Sequence, residues 1–213
     1  METTYSQASQ DLFVTHVLPD KQGGHFLEIG ASDPILYSNT YLVEKGRGWT
    51  GIMVEYDPAY LNGYLEHRKN SVHVIQDART VDYAKLLEPF PKNMEYLQID
   101  LDVDNRSTLD VLEILNRTVF DQYKFATVTF EHDIYRGDYF NTRAASREIF
   151  KSRGYVLVFP NVTWCDKSTP FEDWYVHPDL VDMTRVNRII TDETLTYLEV
   201  REVMKKDVKK FGY

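Results

Sequence analysis

The stretch Gly23-Gly24-His25-Phe26-Leu27-Glu28-Ile29-Gly30-Ala31-Ser32-Asp33 decides the fold. Its apolar run carries an acid near its end and stops at a glycine, as a buried strand does where it meets a ligand-binding turn in an open α/β sheet. Gly30 is the point where a ligand can approach the backbone, because no Cβ stands in the way. Glu28 could hold a ligand's ammonium group directly or through water. Ser32 is a polar neighbour, and Ser38 with Asn39 could cap the following helix. Without a ligand, the same residues read as a tight strand-to-helix turn.

Outward from this stretch, short apolar runs rich in β-branched and aromatic residues alternate with stretches of helical spacing, the pattern of βαβ units. Strands are expected at residues 25–30 (HFLEIG), 51–55 (GIMVE), 72–76 (VHVIQ), 95–101 (EYLQIDL), 125–131 (FATVTFE) and 155–160 (YVLVFP). Residues 172–176 (EDWYV) add a seventh, at a sheet edge. Helices are expected at 39–45, 58–68, 107–115 and 142–152. Residues 161–170 are the longest polar interruption, a loop over a site or a surface connection. No repeat or Pro, Gly or Ser-rich linker divides the chain, so residues 1–213 read as one Rossmann-like α/β domain with helices on both sheet faces.

Composition narrows the function. A chain of 213 residues, 43% of them hydrophobic, can bury one substantial core. Its net charge of −9 argues against wrapping nucleic acid, which requires clustered cations. The cationic tail (Arg201, Lys205, Lys206, Lys209, Lys210) is interrupted by Glu202 and Asp207 and reads as a solvated helix face. Cys165 is alone, which excludes an internal disulfide and a CxxC metal site and suits a reducing, cytoplasmic setting. No stretch approaches the ~20 apolar residues of a membrane span, so no membrane partner is expected.

Further motifs point to a cofactor. Glu55 ends the IMVE strand 25 residues after Gly30, where a carboxylate can accept from ribose hydroxyls. Asp77 follows VHVI, where it could accept from an adenine amino group. The run from Gly30 to Pro34 lacks the later glycines of G-x-G-x-x-G, so a nicotinamide cofactor's pyrophosphate has little glycine backbone to rest on. S-adenosylmethionine carries no phosphate and fits better.

Asp100, Asp102 and Asp104 alternate, but they are no calcium loop: Asn105 stands at the glycine position and Val111 where a Glu would close the loop. The sheet is expected to end near Asp100, leaving Asp100, counted with the cofactor-binding residues, and Asp102 at the mouth of the cleft. The next strand ends in Glu131-His132-Asp133, so two strand ends could converge on a reaction centre. Asp102, Glu131 or His132 could serve as general base for an acceptor hydroxyl. The same three could instead hold a divalent cation such as Mg or Mn. The aromatic run 170–178 reads mainly as packing, with His177 its best candidate to reach a site.

Together these motifs resemble the FkbM-type S-adenosylmethionine-dependent methyltransferases almost end to end. Residues 6–13 (SQASQDLF) resemble the family's opening, FLEIGASD its first motif, Ser38-Asn39-Thr40 and GWTGIMVEYDP the next segments, and YLQIDLD, TFEH and FEDWYVHP the later ones. Two positions depart: Pro34 stands where the family usually has glycine, and Asp102 replaces a Glu, with Val103-Asp104 in place of the glycine that follows. The resemblance implies a seven-stranded sheet with its last strand antiparallel. It also implies cofactor contacts at Glu28, Gly30, Glu55 and Asp77, and Asp100, Asp102, Glu131 and His132 facing the acceptor. The expected reaction is O-methylation of a sugar, glycan or similar small acceptor. The alternatives are N-methylation of a peptide or base, and a non-catalytic scaffold.

Overall fold

The computed structural model describes residues 3–102, 105–137 and 141–211. Its strands are β1 (His25–Ile29), β2 (Thr50–Glu55), β3 (Val72–Ile75), β4 (Asn93–Ile99), β5 (Lys124–Glu131), β6 (Val156–Thr163) and β7 (Pro170–Val176). They form one sheet in the order β3-β2-β1-β4-β5-β7-β6. The pairs β3/β2, β2/β1, β1/β4 and β4/β5 are parallel, and β7 runs antiparallel to both β5 and β6. This is the Rossmann-like methyltransferase sheet, mostly parallel and closed at one end by an antiparallel hairpin.

The helices are α1 (Gln10–Val17), α2 (Tyr41–Arg47), α3 (Leu61–His67), α4 (Tyr83–Leu86), α5 (Asn105–Thr118), α6 (Thr142–Ser152), α7 (Met183–Val186) and α8 (Tyr197–Phe211). Each longer one buries a stripe at helical spacing. On α5, Val111, Leu112 and Leu115 face a core shared with Leu27, Ile29, Leu97, Val128 and Phe130. On the opposite face of the sheet, Val14 of α1 packs on Phe26, Trp49 and Tyr96, while Phe13 joins Trp174, Val200 and Met204 of the α8 side. The parallel strands are therefore covered on both faces, which is why they read as continuous apolar runs rather than alternating ones.

Three expectations need correction. Strand 172–176 is not at an edge: β7 lies between β5 and β6, and β6 is the edge strand. Residues 161–163 are not loop. They extend β6, with register irregularities and a left-handed Asn161 (φ 53) that let the strand bend while it stays paired. Helix 58–68 opens as a 3₁₀ turn, Pro58–Tyr60, capped by Asp57, whose carboxylate accepts from the Ala59 N–H at 2.8 Å. Helix α1 was not expected, because its apolar residues sit in a polar N-terminal segment without a periodic stripe long enough to stand out.

Candidate active site

Gly30 is fixed by the protein itself. It has φ +83, and a Cβ there would stand 1.6 Å from the Asp100 carbonyl oxygen. Its N–H donates to Val54 O at 2.9 Å while the Asp100 N–H donates to Ile29 O at 3.0 Å, so the first loop and the end of β4 are pressed together. The group pressed against Gly30 in the fold is the Asp100 carbonyl.

Glu28 is taken up inside the molecule. Its carboxylate is buried and accepts from the Asn39 N–H (3.1 Å) and the Thr40 hydroxyl (2.6 Å), with the Arg68 guanidinium 3.9 Å away. Burial raises its pKa against the opposing pull of Arg68 and these donors. Its partners in the fold are thus internal groups of the loop after β1, the start of α2 and the end of α3. Arg68, which sequence reasoning did not single out, is fully buried. It donates to Glu44 (2.8 Å), to Ser38 Oγ (3.0 Å), to Thr40 Oγ1 (2.5 Å) and to the Pro34 carbonyl (3.3 Å). An arginine at the end of an amphipathic helix carries no sequence signal for burial, since it is most often solvated there.

The two downstream acids stand at strand ends. Glu55 accepts from the Ser32 N–H (2.8 Å) and the Asp57 N–H (2.9 Å), tying β2 to the first loop, and each oxygen keeps a lone pair. Ser32 is exposed, with left-handed backbone at φ 51. Asp77 caps the turn Ala78–Thr80 and is gripped by Arg79 (3.0 and 2.8 Å), whose hydrogen bonds lower its pKa.

At the ends of β4 and β5, Asp100, Asp102 and Glu131 each offer an oxygen within 4.8 Å of the others. With Asp133, Arg136 and Gln7 they line a cavity of about 360 Å³ walled by Tyr135, Trp164 and Phe171. Asp100 and Glu131 lie side by side at the ends of adjacent strands, and each shifts the other's ionisation. Burial, with the negative charges of Asp102 and Asp133, pushes Asp100 up to about 6 against the opposing pull of Glu131. Burial and the adjacent Asp100 push Glu131 well above the carboxylate range. The cluster therefore retains a proton, with Glu131 its preferred holder. Asp102 is different, its side chain 88% exposed and 3.9 Å from Arg136. Asp104 lies outside the described residues.

His132 does not join this cluster. Its ring is buried, with Nε2 3.6 Å from Asp173 and Nδ1 accepting from the Ile134 N–H at 3.3 Å. Successive strand residues point to opposite faces, so Glu131 and His132 cannot both face the cavity while the chain stays extended. The oxygen donor set is Asp100, Asp102 and Glu131 rather than Asp102, Glu131 and His132. His177 is at the wrong end altogether. Because β7 is antiparallel, its end lies beside the start of β5, where the His177 N–H donates to Ala126 O and the ring packs on Tyr155 at 5.0 Å.

The N-terminal segment completes the wall. Asp11 gathers Thr4 Oγ1 (2.7 Å), the Tyr5 N–H (2.7 Å) and Ser6 Oγ (2.7 Å), and Ser6 bridges to Tyr37. Gln10 donates to both oxygens of Glu172 (3.1 Å each), which also accepts from the Trp174 indole at 2.6 Å. Glu172 is directly opposite Glu131 in the sheet. Burial and the negative charge of Asp100 push it up to about 8.

No protein-family model matches the sequence, and no curated protein matches it. Among solved structures, the chain is similar to a TehB-like SAM-dependent methyltransferase from Corynebacterium glutamicum, at 11% identity and TM-score 0.51, over 79% of this chain and 87% of that one. It is also similar to a putative rRNA-methylase from Clostridium thermocellum, at 10% identity and TM-score 0.52, over 83% and 99%. Fold and topology thus define the class: a Rossmann-like methyltransferase fold. No described helix is long and apolar enough to cross a membrane.

Proposed function

We propose that the chain is an S-adenosylmethionine-dependent methyltransferase of the FkbM type that methylates a hydroxyl of a sugar, glycan or similar small acceptor. The observation that carries this reading is the cluster of Asp100 and Glu131, whose carboxyl oxygens lie within 4.8 Å and line a cavity at adjacent strand ends of a methyltransferase-fold sheet. Ligands of open α/β sheets bind beyond those ends. The interior also suits the cofactor's amino-acid end. Asn39 Oδ1 and both amide atoms of Gln98 are buried without a hydrogen-bond partner among the described residues, and buried polar groups are normally satisfied.

Bound, the cofactor supplies a methyl group on a positively charged sulfur. Asp100 takes the acceptor's hydroxyl proton as the oxygen gains the methyl group, and Glu131, keeping its own proton, favours the ionised Asp100 beside it. A base near 6 is ionised at neutral pH and still accepts a proton readily. Tyr135 and Trp164 offer flat faces to the apolar side of a sugar ring. The same carboxylates, Asp100, Asp102 and Glu131, form a hard oxygen donor set for magnesium or manganese in place of the retained proton.

A calorimetric titration with S-adenosylmethionine, run with magnesium or manganese and again with chelator, tests the reading. Saturable binding near one equivalent is expected. No heat in either condition overturns the proposal in favour of a non-catalytic scaffold, and heat only with metal assigns the carboxylates to a cation. Screening sugars against peptide and base amines then separates O- from N-methylation.

A further inference from the structure

The wall of the acidic cavity includes one neutral amide that the chemistry above leaves unused, Gln7. From Ser6 to Asp11 every residue is buried except Gln7, which is exposed. Its neighbours are clamped. Ser6 donates to Asp11 through its N–H (3.3 Å) and its hydroxyl (2.7 Å), and it bridges to Tyr37. On the other side, the Ala8 N–H donates to Gln10 Oε1 at 2.8 Å, and Gln10 in turn holds Glu172 of β7. The backbone around Gln7 is thus tied to the sheet and to the loop after β1. Among the described residues, no hydrogen bond engages the Gln7 side chain. A side chain fixed at its root and unpaired at its tip has only its own rotamers left to order when a ligand arrives.

The rest of the wall selects the ligand. Four lining residues are acids, Asp100, Asp102, Glu131 and Asp133, against the cation Arg136, which is 3.1 Å from Asp133 and 3.9 Å from Asp102. Even with Glu131 protonated, this balance repels an anionic acceptor. A carboxamide is uncharged and both donates and accepts, so it matches a hydroxyl, which does the same. We infer that Gln7 binds the acceptor, its amide holding a hydroxyl next to the one that is methylated, and that the acceptor is an uncharged polyol rather than a uronic acid or sugar phosphate. The inference rests on the methyl-transfer reading of this cavity.

The test combines saturation-transfer NMR, which reads glycoside contact without turnover, with transfer of tritiated methyl from S-adenosylmethionine. The probes are methyl glucoside, methyl mannoside and methyl rhamnoside, their monodeoxy analogues, and the matching uronide and sugar phosphate. They are offered to the full chain and to its Gln7→Ala and Gln7→Asn variants, with melting temperatures establishing that the fold is kept. In the parent protein a neutral glycoside should give contact and methyl transfer, and the uronide and phosphate neither. Gln7→Ala should weaken that contact and raise the glycoside's KM about tenfold, Gln7→Asn less, with S-adenosylmethionine affinity by calorimetry unchanged. Removing the hydroxyl beside the methylated one should cost the parent the same factor and cost Gln7→Ala nothing more, a coupling that a merely structural role does not produce. Independent losses, an unchanged KM, a preference for the charged sugars, or no glycoside contact in any of the proteins overturns the inference. Methyl transfer that persists without dependence on Gln7 sinks the inference and leaves the methyltransferase reading standing. Glycoside contact through Gln7 in a chain that binds no S-adenosylmethionine does the reverse.

Discussion

At the scale of single residues, Gly30 and Asp100 show how one contact joins fold to chemistry. The Asp100 carbonyl occupies the space where a Cβ on residue 30 would be, and the backbone there is left-handed. Gly30→Ala combines both penalties and should cost about 2–5 kcal/mol, measured by urea denaturation. Asp100→Asn should leave cofactor binding intact and lower methyl transfer by about 10²–10⁴-fold, whereas Asp102→Asn, altering a largely exposed carboxylate, should have a far smaller effect. Because the base must be ionised, the rate in the parent protein should rise with pH through about 6. A flat pH profile would sink the assignment. Sequence reading placed both acids at the cleft but put Asp102 among the candidate bases and Asp100 with the cofactor, since exposure depends on where the strand ends and the chain turns.

At the scale of elements, the loop after β1, the start of α2 and the end of α3 are held by one buried guanidinium. Arg68 and Glu44 have no solvent-exposed side-chain surface, and Glu28 lies close by. Burying charges is costly, so the network stands only while each is compensated. Arg68→Met leaves two carboxylates in the interior without their cation and should destabilise the protein by about 3–5 kcal/mol. Glu44→Gln with Arg68→Met should recover part of that loss, read from the same denaturation midpoints. The Pro34 departure acquires a role here, because the Pro34 carbonyl accepts from Arg68 and its ring packs where a side chain on Gly63 would stand. Proline at this position is compatible with a closely packed first loop.

Across the whole molecule, the acids gathered at one end of the sheet set a pH dependence of stability. Unfolded carboxyls titrate near about 3.9 for Asp and 4.3 for Glu, while in the fold Asp100 is pushed up to about 6 and Glu172 to about 8. Between those values the native state holds protons that the unfolded chain has released, so stability falls as pH rises from about 4 to beyond 8. Asp173 works the other way. Despite burial, the hydrogen bonds from Arg147, together with the nearby His132 ring, lower its pKa, giving stability that is lost in acid. Glu172→Gln should therefore match the parent protein near pH 4 and be the more stable of the two at pH 9, by urea midpoints. Equal midpoints at pH 9 would show that Glu172 ionises without strain. The sequence by itself determined the strand and helix alternation, the glycine turn and the acids at the strand ends, because periodicity and residue type report local burial. The antiparallel last strand was implied by the family resemblance, but only the tertiary structure decided that β7 enters between β5 and β6, carrying His177 to the far end. It alone shows Glu28 turned inward onto Arg68's network, and Asp100 rather than His132 beside Glu131. Strand order, strand direction and the pairing of buried charges are settled by contacts between residues distant in sequence, which no local pattern encodes.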